Sequence, residues 1–148
     1  MHSLSDFRNL INQVEQAVED IAKVHDVEHL AGPQGQVLFY LDRHDGDEIF
    51  VKDIEKEMRI SKSVASNLVK RMEKNGFIQS ISSVADKRCK QVVLTELGRS
   101  KLPPLKVWHA EMVDQLFSNI PYEDFRVVEA VFKQLEENIK MYKEKEDV

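Results

Sequence analysis

The stretch RISKSVASNLVKRMEKNGFIQSISSVADKRCKQVVLTELG, residues 59–98, decides the fold of this chain. Its first half places apolar residues three and four positions apart with basic residues between them. This spacing predicts an amphipathic helix that Ser61 caps and Gly76 ends. Two runs rich in β-branched residues, Phe77–Ser82 and Gln91–Thr95, then predict a β-hairpin. A basic helix followed by a charged hairpin is typical of proteins that read double-stranded DNA.

The charge of this stretch is opposite to that of the rest of the chain. Residues 59–90 carry eight basic and two acidic side chains, a net charge of +6, whereas the whole chain carries −5, so the remainder carries −11. DNA affinity depends on the phosphate contacts that are made rather than on total charge. The acidic remainder would repel DNA and favour one docking orientation. A merely solvated basic face is the alternative that charge alone leaves open.

Size and composition limit the class of protein. A chain of 148 residues is one compact domain or a small two-lobed unit, and it needs neither disulfides nor a metal to fold. The single cysteine, Cys89, excludes an internal disulfide framework and fits a reducing compartment. No leader pattern is evident at the N-terminus, and no run approaches the ~18 apolar residues of a membrane span. We therefore expect a cytoplasmic protein with no membrane partner.

The residues before position 59 predict three further helices. Apolar residues spaced at helical intervals between Leu4 and Ile21 predict a first helix that runs to about Val27. Pro33 suits the first turn of a second helix, and Glu48–Val51 is expected to form one short extended strand before a short third helix. In the helix after Ser61, five apolar side chains are expected to face inward: Val64, Ala65, Leu68, Val69 and Met72.

Two more helices are expected from Glu96 onward. Pro103 and Pro104 should kink or restart the first of them. The last helix has apolar residues in alternating steps of three and four, the spacing of a coiled-coil seam: Phe125, Val128, Phe132, Leu135, Ile139 and Tyr142. The hairpin core needs only residues 31–98, so the terminal helices are spare to it. Covering them with a second copy of the chain predicts a two-fold homodimer, with a self-packed monomeric lobe as the alternative.

The chain resembles the MarR family of bacterial transcriptional regulators over nearly its whole length. The wing motif at the correct distance from the recognition helix is the strongest part of the resemblance. The matching residues are Leu30, Gln34 and Val37-Leu38; Asp53-Ile54; Leu68-Val69, Met72-Glu73 and Gly76-Phe77-Ile78; Asp86-Lys87-Arg88; and Leu94-Thr95 with Gly98.

The expected fold is mainly α, a winged helix-turn-helix with a small β-hairpin wing and a helical dimerisation lobe from both termini. We assign residues 31–98 to the DNA-binding domain, and residues 1–30 and 99–148 to the dimerisation region. The resemblance implies an obligate homodimer on a pseudo-palindromic duplex DNA operator, usually acting as a repressor. It also implies a pocket for a small-molecule effector, and we expect a neutral or anionic organic ligand there that releases the protein from DNA.

Candidate DNA contacts lie on the recognition helix and at the wing tip. The guanidinium of Arg88 can enter a narrow minor groove, and Asp86 can pair with it and fix its direction. Asn67 can pair with adenine, whereas the nearby serines are better placed for the backbone. The alternatives are ordinary solvated side chains and a surface ion pair. The full set is Lys62, Ser63, Ser66, Asn67, Lys70, Arg71, Lys74, Asp86, Lys87, Arg88 and Lys90.

Candidate pocket residues are aromatic, histidine and other side chains around the predicted helical junction: His25, Phe39, Tyr40, Arg43, Trp108, His109 and Met112. Core packing is the alternative role for most of them. His25 and His29 have a spacing that lets two imidazoles share a metal on a helix, with His44 and His109 as further candidates. Cys89, between two cations, is a candidate oxidant sensor. We nevertheless predict no metal site and no cofactor.

No sequence pattern supports an enzyme. The chain has no nucleophile elbow, no phosphate-cradling glycine loop and no zincin motif. Two classes of function are therefore carried forward. One is a ligand-released DNA-binding regulator, with a metal- or oxidant-responsive regulator as its variant. The other is a winged-helix protein-interaction module that does not bind specific DNA.

Overall fold

The computed structural model describes residues 3–146, and within them the chain forms six α-helices and one small antiparallel sheet. This is the predicted mainly α winged helix-turn-helix. A short 3₁₀ turn, Glu28–Leu30, separates the first two helices. The elements in chain order are α1 (Leu4–Val24), α2 (Pro33–Arg43), α3 (Val51–Met58), α4 (Lys62–Lys74), β1 (Ile78–Ser82), β2 (Lys90–Leu94), α5 (Glu96–Phe117) and α6 (Tyr122–Glu146).

Local signals at both ends of α4 act as the sequence predicts. The Ser61 hydroxyl accepts a hydrogen bond from the Val64 backbone N–H at 3.3 Å, which caps the start of the helix. Gly76 has a φ of 83°, a left-handed conformation that glycine adopts without steric cost. The next N–H, that of Phe77, bonds back to the carbonyl of Met72 at 3.0 Å. The chain therefore leaves α4 in a fixed direction and enters the wing.

The wing is a two-stranded hairpin whose pairing runs from Ile78 with Leu94 to Ser82 with Lys90. These strands agree with the predicted ones to within a residue at each end. The pairing continues into the loop, where the Ser83 N–H bonds to the Cys89 carbonyl at 2.9 Å. The loop is thus closed by backbone hydrogen bonds rather than left open.

One hydrophobic core joins the helix-turn-helix to parts of both flanking helices. Leu38, Ile54, Leu68 and Met72 are almost fully buried at its centre. The same cluster contains the α1 residue Ala22 and the α5 residues Leu102, Leu105 and Trp108. The expectation that the flanking helices are wholly spare to this core is therefore wrong, because the end of α1 and the middle of α5 complete it.

Two predicted boundaries in the first half of the chain are wrong. The first helix ends at Val24 rather than near Val27, because Asp26 adopts a left-handed conformation with φ of 58° and turns the backbone. Glu48–Val51 is not a strand, although the Ile49 carbonyl accepts one hydrogen bond from Val92 at 2.7 Å. The Asp53 carboxylate instead accepts the Phe50 N–H at 2.8 Å and begins α3 at Val51.

Two further expectations about helices are also corrected. Val64 does not face inward: its residue is 49% exposed, because it lies in the first turn of α4, which extends beyond the core. The helix α5 does not restart at Pro103 and Pro104 but is continuous through them. Each proline removes one N–H donor and crowds the carbonyl four residues earlier, but burial of Leu102 and Leu105 on the same helix holds the backbone in place.

The chain divides into two compact units, one extending to Met112 and the other beginning at Val113. The second unit holds the end of α5 and all of α6, joined by a T-shaped ring contact between Phe117 and Phe125 at 4.8 Å. Within its described part α6 buries no residue. The predicted assignment of DNA-binding and dimerisation regions stays a prediction, since a single chain does not display a dimer.

No helix within residues 3–146 is long and apolar enough to cross a membrane.

Candidate nucleic-acid interface and neighbouring cavity

The solvent-facing side of α4 carries the predicted helix contacts. Ala65, Leu68, Val69 and Met72 are buried and fix how the helix is rotated about its axis. Every predicted contact on the helix is exposed apart from Ser66, which is partly buried: Lys62, Ser63, Asn67, Lys70, Arg71 and Lys74. The packing thus brings four cations, a hydroxyl and an amide to one accessible surface, a suitable set for phosphates and base edges.

The wing tip is organised by Asp86 and Arg88. One Asp86 carboxylate oxygen accepts both the Arg88 backbone N–H at 3.0 Å and its guanidinium Nε–H at 3.3 Å. These hydrogen bonds hold the pKa of the Asp86 carboxyl below its usual value. The Arg88 side chain is 92% exposed, and Lys87 and Lys90 are exposed beside it. The predicted pairing of Asp86 with Arg88 is confirmed.

The loop end of the wing is attached to the body through Glu48, a residue that the sequence analysis did not single out. Its carboxylate accepts hydrogen bonds from the Ser83 hydroxyl at 2.9 and 3.0 Å, the Val84 N–H at 2.7 Å and the Gln91 side-chain amide at 3.4 Å. Ser83 and Gln91 are buried polar residues. No local pattern marks Glu48, because its partners lie 35 to 43 positions further along the chain.

A cavity of about 330 Å³ lies between α1, α2 and α5. It brings together four of the seven predicted pocket residues: Phe39, Trp108, His109 and Met112. The Trp108 indole N–H donates to the Val18 carbonyl at 3.3 Å, which fixes the ring as one wall. The His109 imidazole packs edge-on to Phe39, with ring centroids 5.7 Å apart. The full lining is Val18, Leu30, Ala31, Gly32, Gly35, Gln36, Phe39, Trp108, His109 and Met112.

The other three predicted pocket residues lie outside this cavity. His25 caps the end of α1 and its Nε2 pairs with the Glu111 carboxylate of α5. Tyr40 lines a separate, polar depression, where burial, followed by the nearby Asp53 and Glu57 carboxylates, raises the pKa of its phenol. Arg43 is bound to Glu57 at 3.2 Å.

The geometry removes the basis for a two-histidine metal site. Because α1 ends at Val24, His25 and His29 do not share a helical face. Within residues 3–146 no group of three or more histidine, cysteine, aspartate or glutamate residues is arranged to hold a metal ion. Cys89 is exposed, with its sulfur 3.8 Å from an Asp86 carboxylate oxygen.

Comparisons with known proteins agree with this architecture. Residues 30–88 match the model of the MarR family. The heme-free structure of PefR is 43% identical, covering 91% of this chain and 98% of that one with a TM-score of 0.80. The heme sensor protein PefR from Streptococcus agalactiae in complex with heme is 42% identical, covering 93% of each chain with a TM-score of 0.74.

Two more distant structures share the fold. The transcription regulator MarR from Oenococcus oeni PSU-1 is 26% identical over 91% of this chain and 99% of that one, with a TM-score of 0.71. A complex of S. aureus MepR with DNA is 23% identical over 93% and 99%, with a TM-score of 0.77. The helix order, the wing motif and these similarities together show that the chain belongs to the MarR family of transcriptional regulators.

Proposed function

We propose that this regulator binds a pseudo-palindromic duplex operator as a homodimer, represses transcription there and is released by a small organic ligand. The exposed cationic and polar face of α4, together with the exposed Arg88 of the wing, is the observation that carries DNA binding. A helix of this kind reads the major groove while the wing arginine enters the adjacent minor groove. The MepR structure is a complex with DNA on the same fold.

Selection from a random pool of duplexes tests this function. The purified protein should enrich fragments containing two inverted half-sites about one helical turn apart, because a two-fold dimer presents two recognition helices. Binding should weaken steeply as salt rises, since lysine and arginine contacts displace counterions from phosphates. Enrichment of no sequence would overturn the proposal in favour of a winged-helix module that binds protein rather than specific DNA.

The cavity beside Trp108 is the site we propose for the effector. Its volume of about 330 Å³ lies within the range of about 300–1,000 Å³ typical of ligand pockets. Its walls combine aliphatic and aromatic surface with the polar atoms of Gln36 and His109. It is formed by α5 together with α1 and α2, so a ligand there contacts both the helix-turn-helix and a helix of the proposed dimerisation region.

Heme is the ligand that we propose for this cavity. PefR, which shares 42% identity with this chain, has been solved with heme bound. The donor chemistry fits, because imidazole and thioether are common axial donors to heme iron, and His109 and Met112 lie together on this largely apolar wall. His109 is the residue we expect to hold the iron. Heme is an organic anion that carries a metal, so this proposal departs from the expectation that no metal or cofactor takes part.

Titration with hemin tests the ligand separately from DNA binding. The wild-type protein should shift the Soret band as imidazole ligates the iron. His109→Ala should lose or weaken that shift, and His29→Ala, a change at an exposed histidine outside the cavity, should keep it. Heme-loaded wild type should then release its selected operator. The absence of any shift in the wild type would exclude heme while leaving the operator result intact.

A further inference from the structure

We infer that Glu48 is a positioning residue for the DNA-reading wing: it sets the direction of Arg88 without touching DNA itself. This inference rests on the proposed operator binding, in which Arg88 makes a contact. Glu48 lies between α2 and α3, in the body of the protein rather than in the wing. Its carboxylate nevertheless receives hydrogen bonds from both ends of the hairpin loop, from Ser83 and Val84 at its start and from Gln91 in the strand after it.

These hydrogen bonds form a continuous chain to the wing tip. The Ser83 hydroxyl donates to Glu48, and its oxygen accepts the backbone N–H groups of Ala85 at 3.2 Å and Asp86 at 3.3 Å. Asp86 in turn accepts the backbone and guanidinium N–H groups of Arg88. Each link fixes the position of the next residue. The orientation of the exposed arginine is therefore determined at the partly buried carboxylate.

Burial explains why this chain of hydrogen bonds can fix the orientation of Arg88. Ser83 is 3% exposed and Gln91 7% exposed, so losing their carboxylate partner would leave buried polar groups unsatisfied. The Arg88 side chain is itself 92% exposed, and burial does not hold it; its hydrogen bonds to Asp86 do. An exposed arginine held only by solvent would sample many rotamers, and ordering it on binding would lower affinity. The Glu48 network reduces that disorder before DNA arrives.

The direction of the change in operator affinity distinguishes a positioning role of Glu48 from a simple effect of its charge. Removing a carboxylate makes the protein less acidic, and simple electrostatics then predicts tighter binding to DNA. A wing that has lost its anchor predicts weaker binding instead. Asp47→Asn is the matched control, because Asp47 is an exposed acid in the same connection whose carboxylate pairs with the nearby His44 at 3.3 Å. It removes the same charge and leaves the wing network intact.

The experiment compares the operator affinities of the wild-type protein and four variants at fixed salt. Glu48→Ala should bind the selected operator about tenfold more weakly, the scale of one lost hydrogen bond, and Asp47→Asn as tightly as wild type or slightly tighter. Arg88→Ala should also weaken binding. The double variant Glu48→Ala/Arg88→Ala should bind no more weakly than Arg88→Ala alone, because Glu48 acts through that arginine.

Hydrogen exchange supplies a second measurement that does not depend on DNA. In Glu48→Gln the amides of Val84 and Asp86 should exchange faster, while core amides of α2 keep their protection. If Arg88→Ala weakens binding and Glu48→Ala does not, the positioning role is wrong and operator binding stands. If neither changes affinity for the operator, the proposed contact of the wing with DNA is what fails. If the Glu48→Ala protein does not fold, Ser83→Ala interrupts the same series of hydrogen bonds at its next residue. Its operator affinity is then compared with that of Arg88→Ala in the same way.

Discussion

Arg88 offers the most direct test of the DNA-binding proposal. Its guanidinium projects from the wing tip, where it is 92% exposed and donates hydrogen bonds to Asp86. Arg88→Ala should lower operator affinity by about 1–3 kcal/mol, the scale of one good specific contact. Its thermal stability should stay within about 0.5 kcal/mol of wild type, since the side chain contributes nothing to the core. Fluorescence anisotropy titrations and melting curves measure the two quantities.

Arg88→Lys is the informative companion variant. It keeps the charge but replaces a planar, weakly hydrated guanidinium by a strongly hydrated ammonium, which gives up water less readily in a narrow groove. We therefore expect only partial recovery of affinity. Full recovery would show that charge alone is read at the wing tip, and unchanged affinity in Arg88→Ala would show that the wing makes no important contact.

Tyr40 gives a pH-dependent prediction at a site away from DNA. Burial and the neighbouring Asp53 and Glu57 carboxylates raise the pKa of its phenol above the usual value of 10.0. A group whose pKa is raised in the folded state stabilises the protein below its unfolded pKa, and that contribution is lost as the pH rises through the folded pKa. Phenolate absorbance should show one of the three tyrosines ionising late. Tyr40→Phe should remove that late component, and a uniform titration of all three in wild type would contradict it.

At this scale the sequence predicts contacts between near neighbours and misses those made across the fold. The bond between Asp86 and Arg88 spans two positions and is implied by the loop motif itself. The hydrogen bonds of Glu48 join residues 35 or more positions apart, and no local sequence pattern indicates them. His25 shows the same limit, since its partner Glu111 lies 86 positions away.

At the scale of elements, the junction between the wing and α5 depends on Gly98. A Cβ at this position would lie 2.1 Å from the Phe77 carbonyl oxygen, which is backbone and cannot swing aside. Gly98→Ala should therefore destabilise the fold by about 1–3 kcal/mol, as overpacking does. Chemical denaturation measures the loss. Gly32→Ala, where a Cβ meets nothing within 4 Å, should cost less, and equal losses would contradict the steric account.

Helix ends were predictable where a single residue decides them. The Ser61 hydroxyl caps α4 through a hydrogen bond, and Gly76 ends the helix because a residue without a Cβ adopts its left-handed backbone conformation readily. The error at Glu48–Val51 has the opposite cause: its residues suit a strand, but the Asp53 carboxylate caps α3 and draws Val51 into the helix. The expectation for Val64 is wrong because helical periodicity shows which face of a helix is apolar but not how far the core extends along the helix axis.

At the scale of the whole molecule, a basic segment and the apolar stripes of the terminal helices mark different parts of the chain. The cations of α4 and the wing reach solvent, whereas the residues outside 59–90 carry a net −11. Periodicity predicted that the terminal helices carry apolar stripes, and large apolar side chains of α1 and α6 are indeed exposed in the single chain. How those stripes are covered could not be read from one sequence, because a monomer core and a dimer interface have the same periodicity.

Dimerisation through the terminal helices is therefore the prediction that concerns the whole molecule. Phe132 and Leu135 of α6 remain 51% and 42% exposed, in the middle of the coiled-coil-like stripe. Burying such side chains in a second copy contributes about 25 cal/mol per Å² of apolar surface removed from water. At micromolar concentration the protein should sediment with about twice its chain mass of 17.2 kDa.

Phe132→Glu tests which surface joins the two copies. It places a charge in the proposed seam, so the dimer should dissociate into monomers and lose operator affinity, since one monomer presents a single recognition helix to the two half-sites. Gln134→Glu adds the same charge at an exposed position of α6 outside the stripe, and it should remain dimeric and bind DNA. A monomeric wild type would contradict the dimer itself. A Phe132→Glu protein that is still dimeric would place the interface elsewhere on the chain.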